Sequence, residues 1–299
     1  MGFGTYRHDR QVLAHHIREG RFQRSLALIA AFSSLMSGLE VAYEHYRGSY
    51  SQRIMFSPVV LSPLLFVAGV SAALSRRMAH TFLPAVSLAT ILDGLVGLFF
   101  HVRGVHRKPG GWRFVVADVI MGPPVFAPLL FGISGYLGLI ASLLRREGDR
   151  IPPPKRGHRS HVRFEQEIRE GRFQRQLAIA AAASALFSGI EALYSHYKSN
   201  FRSRAQWTPV LLAPVMVVAG CATVQSRGAG RTLLPFASCL ALLDGLIGTL
   251  YHVRGVVRRP GGMSMPLYNI MYGPPIFAPM LFSASGFLGL LASALRREG

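Results

Sequence analysis

Four apolar stretches of about 19 to 24 residues lie in the first half of this chain, and four more follow at a constant offset in the second. A helix needs about 20 predominantly apolar residues to cross the hydrocarbon of a bilayer. The first four are Ser25–Tyr46, Ser57–Ser75, Thr81–Val102 and Gly122–Leu144; the second four are Gln176–Tyr197, Thr208–Ser226, Thr232–Val253 and Gly273–Leu295. Stacked soluble helices would need charged outer faces, and these stretches carry almost none. The reading is an all-α integral membrane protein with eight transmembrane helices, built as two tandem parallel four-helix repeats. Residues 1–150 hold the first repeat and 151–299 the second, with 151–167 as a basic cytoplasmic linker.

The offset is 151 residues. IREGRFQR stands at Ile17–Arg24 and Ile168–Arg175, LDGL begins at Leu92 and Leu243, HVRGV at His101 and His252, and GPP at Gly122 and Gly273. Roughly half of the paired positions are identical, a tandem duplication at the sequence level. Four crossings per copy give both copies the same orientation, related by an axis along the membrane normal, which disfavours an inverted-repeat transporter.

Composition agrees. Of 299 residues, 50% are hydrophobic and only 16% charged, with Lys+Arg 33 against Asp+Glu 14 and a formal net charge of +19. Soluble domains carry about 25% charged residues, and this much apolar mass excludes disorder. The basic residues flank the apolar runs, so they mark membrane boundaries rather than a nucleic-acid surface. Their distribution favours cytoplasmic termini in the inner membrane of a bacterial-type cell. Gln11–Arg24 and Val162–Arg175 read as short basic helices lying on anionic lipid at the inner surface. The first 24 residues are basic and lack a signal-peptide core. Cys221 and Cys239 lie in apolar stretches and form no disulfide framework or CxxC motif. Pro58, Pro209, Pro123, Pro124, Pro274 and Pro275 read as first-turn prolines. Pro63, Pro84 and Pro128 are expected to bend their helices from within.

Ionisable residues inside a membrane are costly and are functional candidates by default. The first half offers Glu40, His45, Asp93 and His101, and the second repeats them as Glu191, His196, Asp244 and His252. At 100° per residue Asp93, Gly97 and His101 share one side of a helix, as do Asp244, Gly248 and His252. Glu40 stands roughly 7 Å below His45, and Asp93 roughly 12 Å below His101. Where the first and third helices of a half touch, two histidines and two carboxylates converge in the outer leaflet. Such a set suits Fe, Mn, Zn or Cu, and two facing histidines suit axial ligation of haem. The ferritin-like Glu-x-x-His pattern is absent. The structural alternative is pairing of Glu40 or Asp93 with Arg103 or backbone, with His45 and His101 as interfacial residues. Arg103 and Arg107, with their copies Arg254 and Arg258, lie in HVRGVxRxPGG, placed after the third helix as an outer basic loop that meets an anionic or lipid head group. GPPxFAP is read as a rigid opening of the fourth helix, and SGxLGL (Ser134–Leu139, Ser285–Leu290) as a close-packing seam.

Walker A, GxGxxG, GxSxG and HExxH are missing, so ATPase, Rossmann and serine-hydrolase chemistry lack support. The first functional expectation is a non-catalytic or electron-handling subunit that packs beside other membrane subunits. A free-standing membrane metalloenzyme or oxidoreductase is the rival, and a transporter stands third.

Overall fold

A computed structural model of the chain describes residues 20–143 and 172–294. The expected linker and most of the two basic surface helices lie outside the described residues. Among the described residues the chain is all helix and turn, without strands. The helices are α1 (Arg21–Arg47), α2 (Ser57–Leu74), α3 (Arg76–His80), α4 (Phe82–His106), α5 (Val115–Ile120), α6 (Ala127–Leu143), α7 (Arg172–Lys198), α8 (Thr208–Gln225), α9 (Arg227–Arg231), α10 (Leu233–Val257), α11 (Pro266–Tyr272) and α12 (Ala278–Ala294). Short 3₁₀ turns at Arg53–Phe56, Gly111–Phe114, Arg204–Trp207 and Gly262–Ser264 join them.

Six helical segments are long and apolar enough to cross a membrane: Gln23–Arg47, Arg53–Leu74, Arg76–His106, Gln174–Lys198, Arg204–Gln225 and Leu233–Val257. Ala127–Leu143 and Ala278–Ala294 are apolar but shorter. The sequence placed helix starts at Gly122 and Gly273; the structure starts these helices five residues later. The physical reason is the Gly-Pro-Pro run, since a residue before proline is pushed out of the helical region. Pro123, Pro124, Pro274 and Pro275 therefore lie in irregular lead-ins, not in helical first turns. Pro84 and Pro128, expected within helices, fall in the first turns of α4 and α6, where no intrahelical bond is lost. Pro63 is internal as expected, and so is its copy Pro214. HVRGV is also reassigned. It forms the last turns of α4 and α10 rather than a loop, where Arg103 and Arg254 complement the negative helix end. The Pro-Gly-Gly turn follows, with positive φ at Gly110, Gly111, Gly261 and Gly262.

The chain divides into two compact units. Unit one holds Met1–Gly97 and Phe131–Phe164; unit two holds Leu98–Leu130 and Glu165–Gly299. In both, the usual size gradient is inverted. The buried positions of α1 and α2 include Ala27, Ala30, Ala31, Ala68 and Ala72; those of α7 and α8 include Ala178, Ala181, Ala182, Ala185, Ala213 and Ala219. Large side chains point outward, as Leu88, Leu92, Leu95 and Phe99 do on α4 and Leu243, Leu246, Ile247 and Leu250 on α10. Lipid is as apolar as leucine, so helix association gains from close backbone approach rather than from hiding bulk.

The seams show how close that approach is. A Cβ on Gly69 would lie 2.4 Å from the Ala27 carbonyl oxygen, and one on Gly220 would lie 2.7 Å from that of Ala178. The SGxLGL reading holds: Gly135 and Gly286 bring α6 and α12 onto the backbone carbonyls of Ser87 and Ser238. Serines stitch the same seams, with Ser62 donating to the Ser34 carbonyl at 2.8 Å in unit one. In unit two the Ser184 and Ser285 hydroxyls meet at 2.7 Å. Gly220→Leu should therefore lower the thermal midpoint of the detergent-solubilised chain, by about 1–3 kcal/mol of overpacking. Leu250→Ala, on an outward face, should move it far less; equal losses would refute the small-residue seam.

Candidate functional site

Two consecutive non-glycine residues with positive φ follow α1, Ser49 (60°) and Tyr50 (43°), and two follow α7, Asn200 (57°) and Phe201 (44°). Left-handed backbone at such residues costs of order 1–3 kcal/mol each and persists only when its surroundings fix it. Stacking does so here. The Tyr50 ring lies 4.3 Å from Phe56, and the Phe201 ring 4.0 Å from Trp207. The Tyr50 and Phe201 N–H groups return to the carbonyls of His45 and His196 at 3.0 Å. The turn thus clamps the end of the helix that carries each candidate histidine.

In unit one, His45 donates from Nδ1 to the Met55 carbonyl at 2.7 Å, and Tyr43 donates to Glu40 at 3.0 Å. The Asp93 carboxylate lies in hydrogen-bonding range of the Ser57 hydroxyl, with His45 as its nearest cationic influence. These are local pairings. Glu44, whose copy is Ser195, forms an exposed ion pair with Arg47 at 3.5 Å.

In unit two the polar residues serve irregular backbone. His101 donates from Nδ1 to the Pro124 carbonyl at 2.6 Å, and His252 does the same to Pro275. Glu191 accepts the Phe126 N–H at 2.8 Å, and the Ala127 N–H and Tyr194 hydroxyl address the same carboxylate. Phe126 also stacks on Phe187, with ring centroids 4.4 Å apart. A carboxylate of α7 therefore caps the N-terminus of α6, at the lead-in that Gly122–Phe126 leaves without helical bonds. Backbone groups at membrane depth must be satisfied inside the protein, and a negative group is favoured at a helix start. GPPxFAP thus receives an anion, supplied by the chain itself.

The four candidates of the second half share one cavity of about 490 Å³ in unit two. Glu191, His196, Asp244 and His252 all line it, and Gly248 lies between the last two as the spacing required. The His196 and His252 rings stand 6.4 Å apart, edge to face. Asp244 lies in hydrogen-bonding range of the Thr208 hydroxyl. The convergence takes the form of a shared wall rather than a ligand sphere: among the described residues no group of three or more His, Cys, Asp or Glu gathers as a metal ion requires. Arg103, Arg107, Arg254 and Arg258 are exposed.

Sequence reasoning passed over Ser188, Gln206 and Thr208, which also line the cavity. Thr208 carried a signal: it precedes Pro209 as Ser57 precedes Pro58, but both read only as helix starts. Asp118 was missed too. It is buried in α5, and its copy Asn269 donates to the Pro260 and Gly262 carbonyls at 3.2 and 2.9 Å.

The chain matches no known family model, no curated protein and no solved structure.

Glu191→Leu should leave the Phe126 and Ala127 amides without their acceptor, a cost of about 1–3 kcal/mol for each buried donor. Hydrogen exchange should accelerate in the first turn of α6 while the middle of α8 keeps its protection. Unchanged exchange at Ala127 would refute the cap.

Proposed function

We propose that this chain is a multi-pass subunit of a larger membrane complex in the inner membrane of a bacterial-type cell. Eight helices cross the bilayer as two parallel four-helix repeats, with both termini cytoplasmic. The observation that carries this reading is the inverted size gradient: large apolar side chains cover the outward faces of α4 and α10, and small residues fill the seams. Such faces suit lateral contact with lipid and with other apolar helices. The two shorter helices support eight crossings once their lead-ins are added. Seventeen helical residues rise about 26 Å, and five irregular residues before them contribute the remainder of a roughly 30 Å core. Arg103, Arg107, Arg254 and Arg258 meet anionic head groups at the outer face, and the basic segments near each repeat start do so at the inner face.

Blue-native electrophoresis after gentle solubilisation tests the subunit reading. A species well above the 32.7 kDa chain plus its detergent supports it, and migration as a lone chain refutes it. Topology is tested in a background of Cys221→Ala and Cys239→Ala. A cysteine introduced at Gly110 should react with an impermeant thiol reagent on intact cells, and one introduced at Ser160 should not; the reverse pattern inverts the orientation.

A second reading, a metal or haem centre at the duplicated clusters, has one supporting observation. His45, His101 and His252 each donate from Nδ1 to a backbone carbonyl, which leaves the Nε2 lone pair outward, as in metal-ligating histidines. Elemental analysis and an optical spectrum of the purified chain test it. A stoichiometric metal lost in His252→Ala supports it, and no bound metal or Soret band refutes it.

A further inference from the structure

The cavity of unit two has a charge sign opposite to that of the chain. Its only formally charged lining residues are Glu191 and Asp244, and no Lys or Arg lines it, in a protein with Lys+Arg 33 against Asp+Glu 14. The negative end of Glu191 is offset by the α6 N-terminus that it caps. Asp244 has only a hydroxyl beside it, that of Thr208, and so supplies the uncompensated negative charge. The other polar groups accept as well. His252 gives its Nδ1 proton to Pro275, so Nε2 is an acceptor toward its surroundings. Ser188 also lines the cavity, is only 8% exposed, and its Oγ has no hydrogen-bond partner. A buried hydroxyl left unsatisfied costs about 1–3 kcal/mol, and a ligand that pairs with it recovers that cost.

The size of the space decides between ligand classes. A bare or hydrated ion needs far less than 490 Å³, since a water molecule's share of liquid volume is about 30 Å³. Pockets for organic ligands run from about 300 to 1,000 Å³ and are mostly apolar with few polar groups. This one fits that description: Ile247, Leu281 and Phe282 wall it, and Tyr251 adds a second aromatic ring. Aromatic faces attract ammonium groups. Along α7 the lining runs from Ser188 to Ser199, about 16 Å of helix rise, room for a body several carbons long.

We propose that the unit-two cavity binds an amphipathic ammonium compound, a protonated primary amine carried on an apolar body. The ammonium sits by Asp244 and donates to Asp244, His252 Nε2 and Ser188 Oγ; the apolar body lies against Phe282 and Ile247. This reading is independent of the complex proposed above.

The test uses the full chain in lipid nanodiscs, with empty nanodiscs as the partition control and tritiated 4-phenylbutylamine as the probe. Saturable binding of about one amine per chain is expected, competed by unlabelled amine but not by 4-phenylbutanol or 4-phenylbutyrate. Asp244→Asn should raise the Kd at least tenfold, Asp244→Glu should restore most of the affinity, and Ser188→Ala should raise it about threefold. Arg231→Ala, on the exposed face of α9, should leave it unchanged. Binding no greater than that of empty nanodiscs, or equal affinity in wild type and Asp244→Asn, would overturn the proposal. So would tight uptake of one Zn²⁺ per chain, lost in His252→Ala, without saturable amine binding: the cavity would then be a metal centre.

Discussion

Backbone hydrogen bonding inside an apolar medium is the constraint on which this structure depends. A helix satisfies itself, but its start does not, and the Gly-Pro-Pro runs delay two starts by five residues each. Every exposed amide and carbonyl in such a lead-in then needs a partner from another element. The intramembrane histidines and Glu191 supply those partners: His101 and His252 take the proline carbonyls, and Glu191 takes the Phe126 and Ala127 amides. The residues most costly to place in a membrane are thus tied to the backbone least able to stand alone there. Groups oriented in this way are also pre-organised: the tautomer of His252 and the position of Glu191 are fixed before any ligand arrives.

The helices were legible because one physical quantity, apolar length, decides them. Ser57–Ser75 and Thr208–Ser226 coincide with α2 and α8 to within one residue. The ends of α4 and α10 were misjudged, since arginine and glycine in HVRGV resemble loop composition, and the favourable charge of Arg103 and Arg254 at a helix C-terminus was not weighed. The delayed starts at Ala127 and Ala278 could have been read, because consecutive prolines each force the preceding residue to extend.

The candidate site was legible in part. Periodicity placed Asp244, Gly248 and His252 on one side of α10, and all three line the cavity. What the sequence could not reveal was the job of Glu191, because its partner Phe126 stands 65 residues away and belongs to the other copy of the duplicated sequence. Nor could it separate a ligand sphere from a shared wall. That distinction rests on a few ångströms of side-chain placement, to which helical spacing is blind.

The inverted size gradient has an evolutionary corollary. An outward side chain has only to dissolve in lipid, so its identity is free to drift: Leu88 stands opposite Cys239, Phe99 opposite Leu250 and Val60 opposite Leu211 in the two copies. A seam residue touches backbone, and no other size fits: Ala27, Ala31, Gly69, Ser87, Gly135 and Gly138 recur unchanged as Ala178, Ala182, Gly220, Ser238, Gly286 and Gly289. The ancestry of such a protein is recorded in its smallest residues, while its bulk, which dominates the hydropathy, is rewritten at little cost.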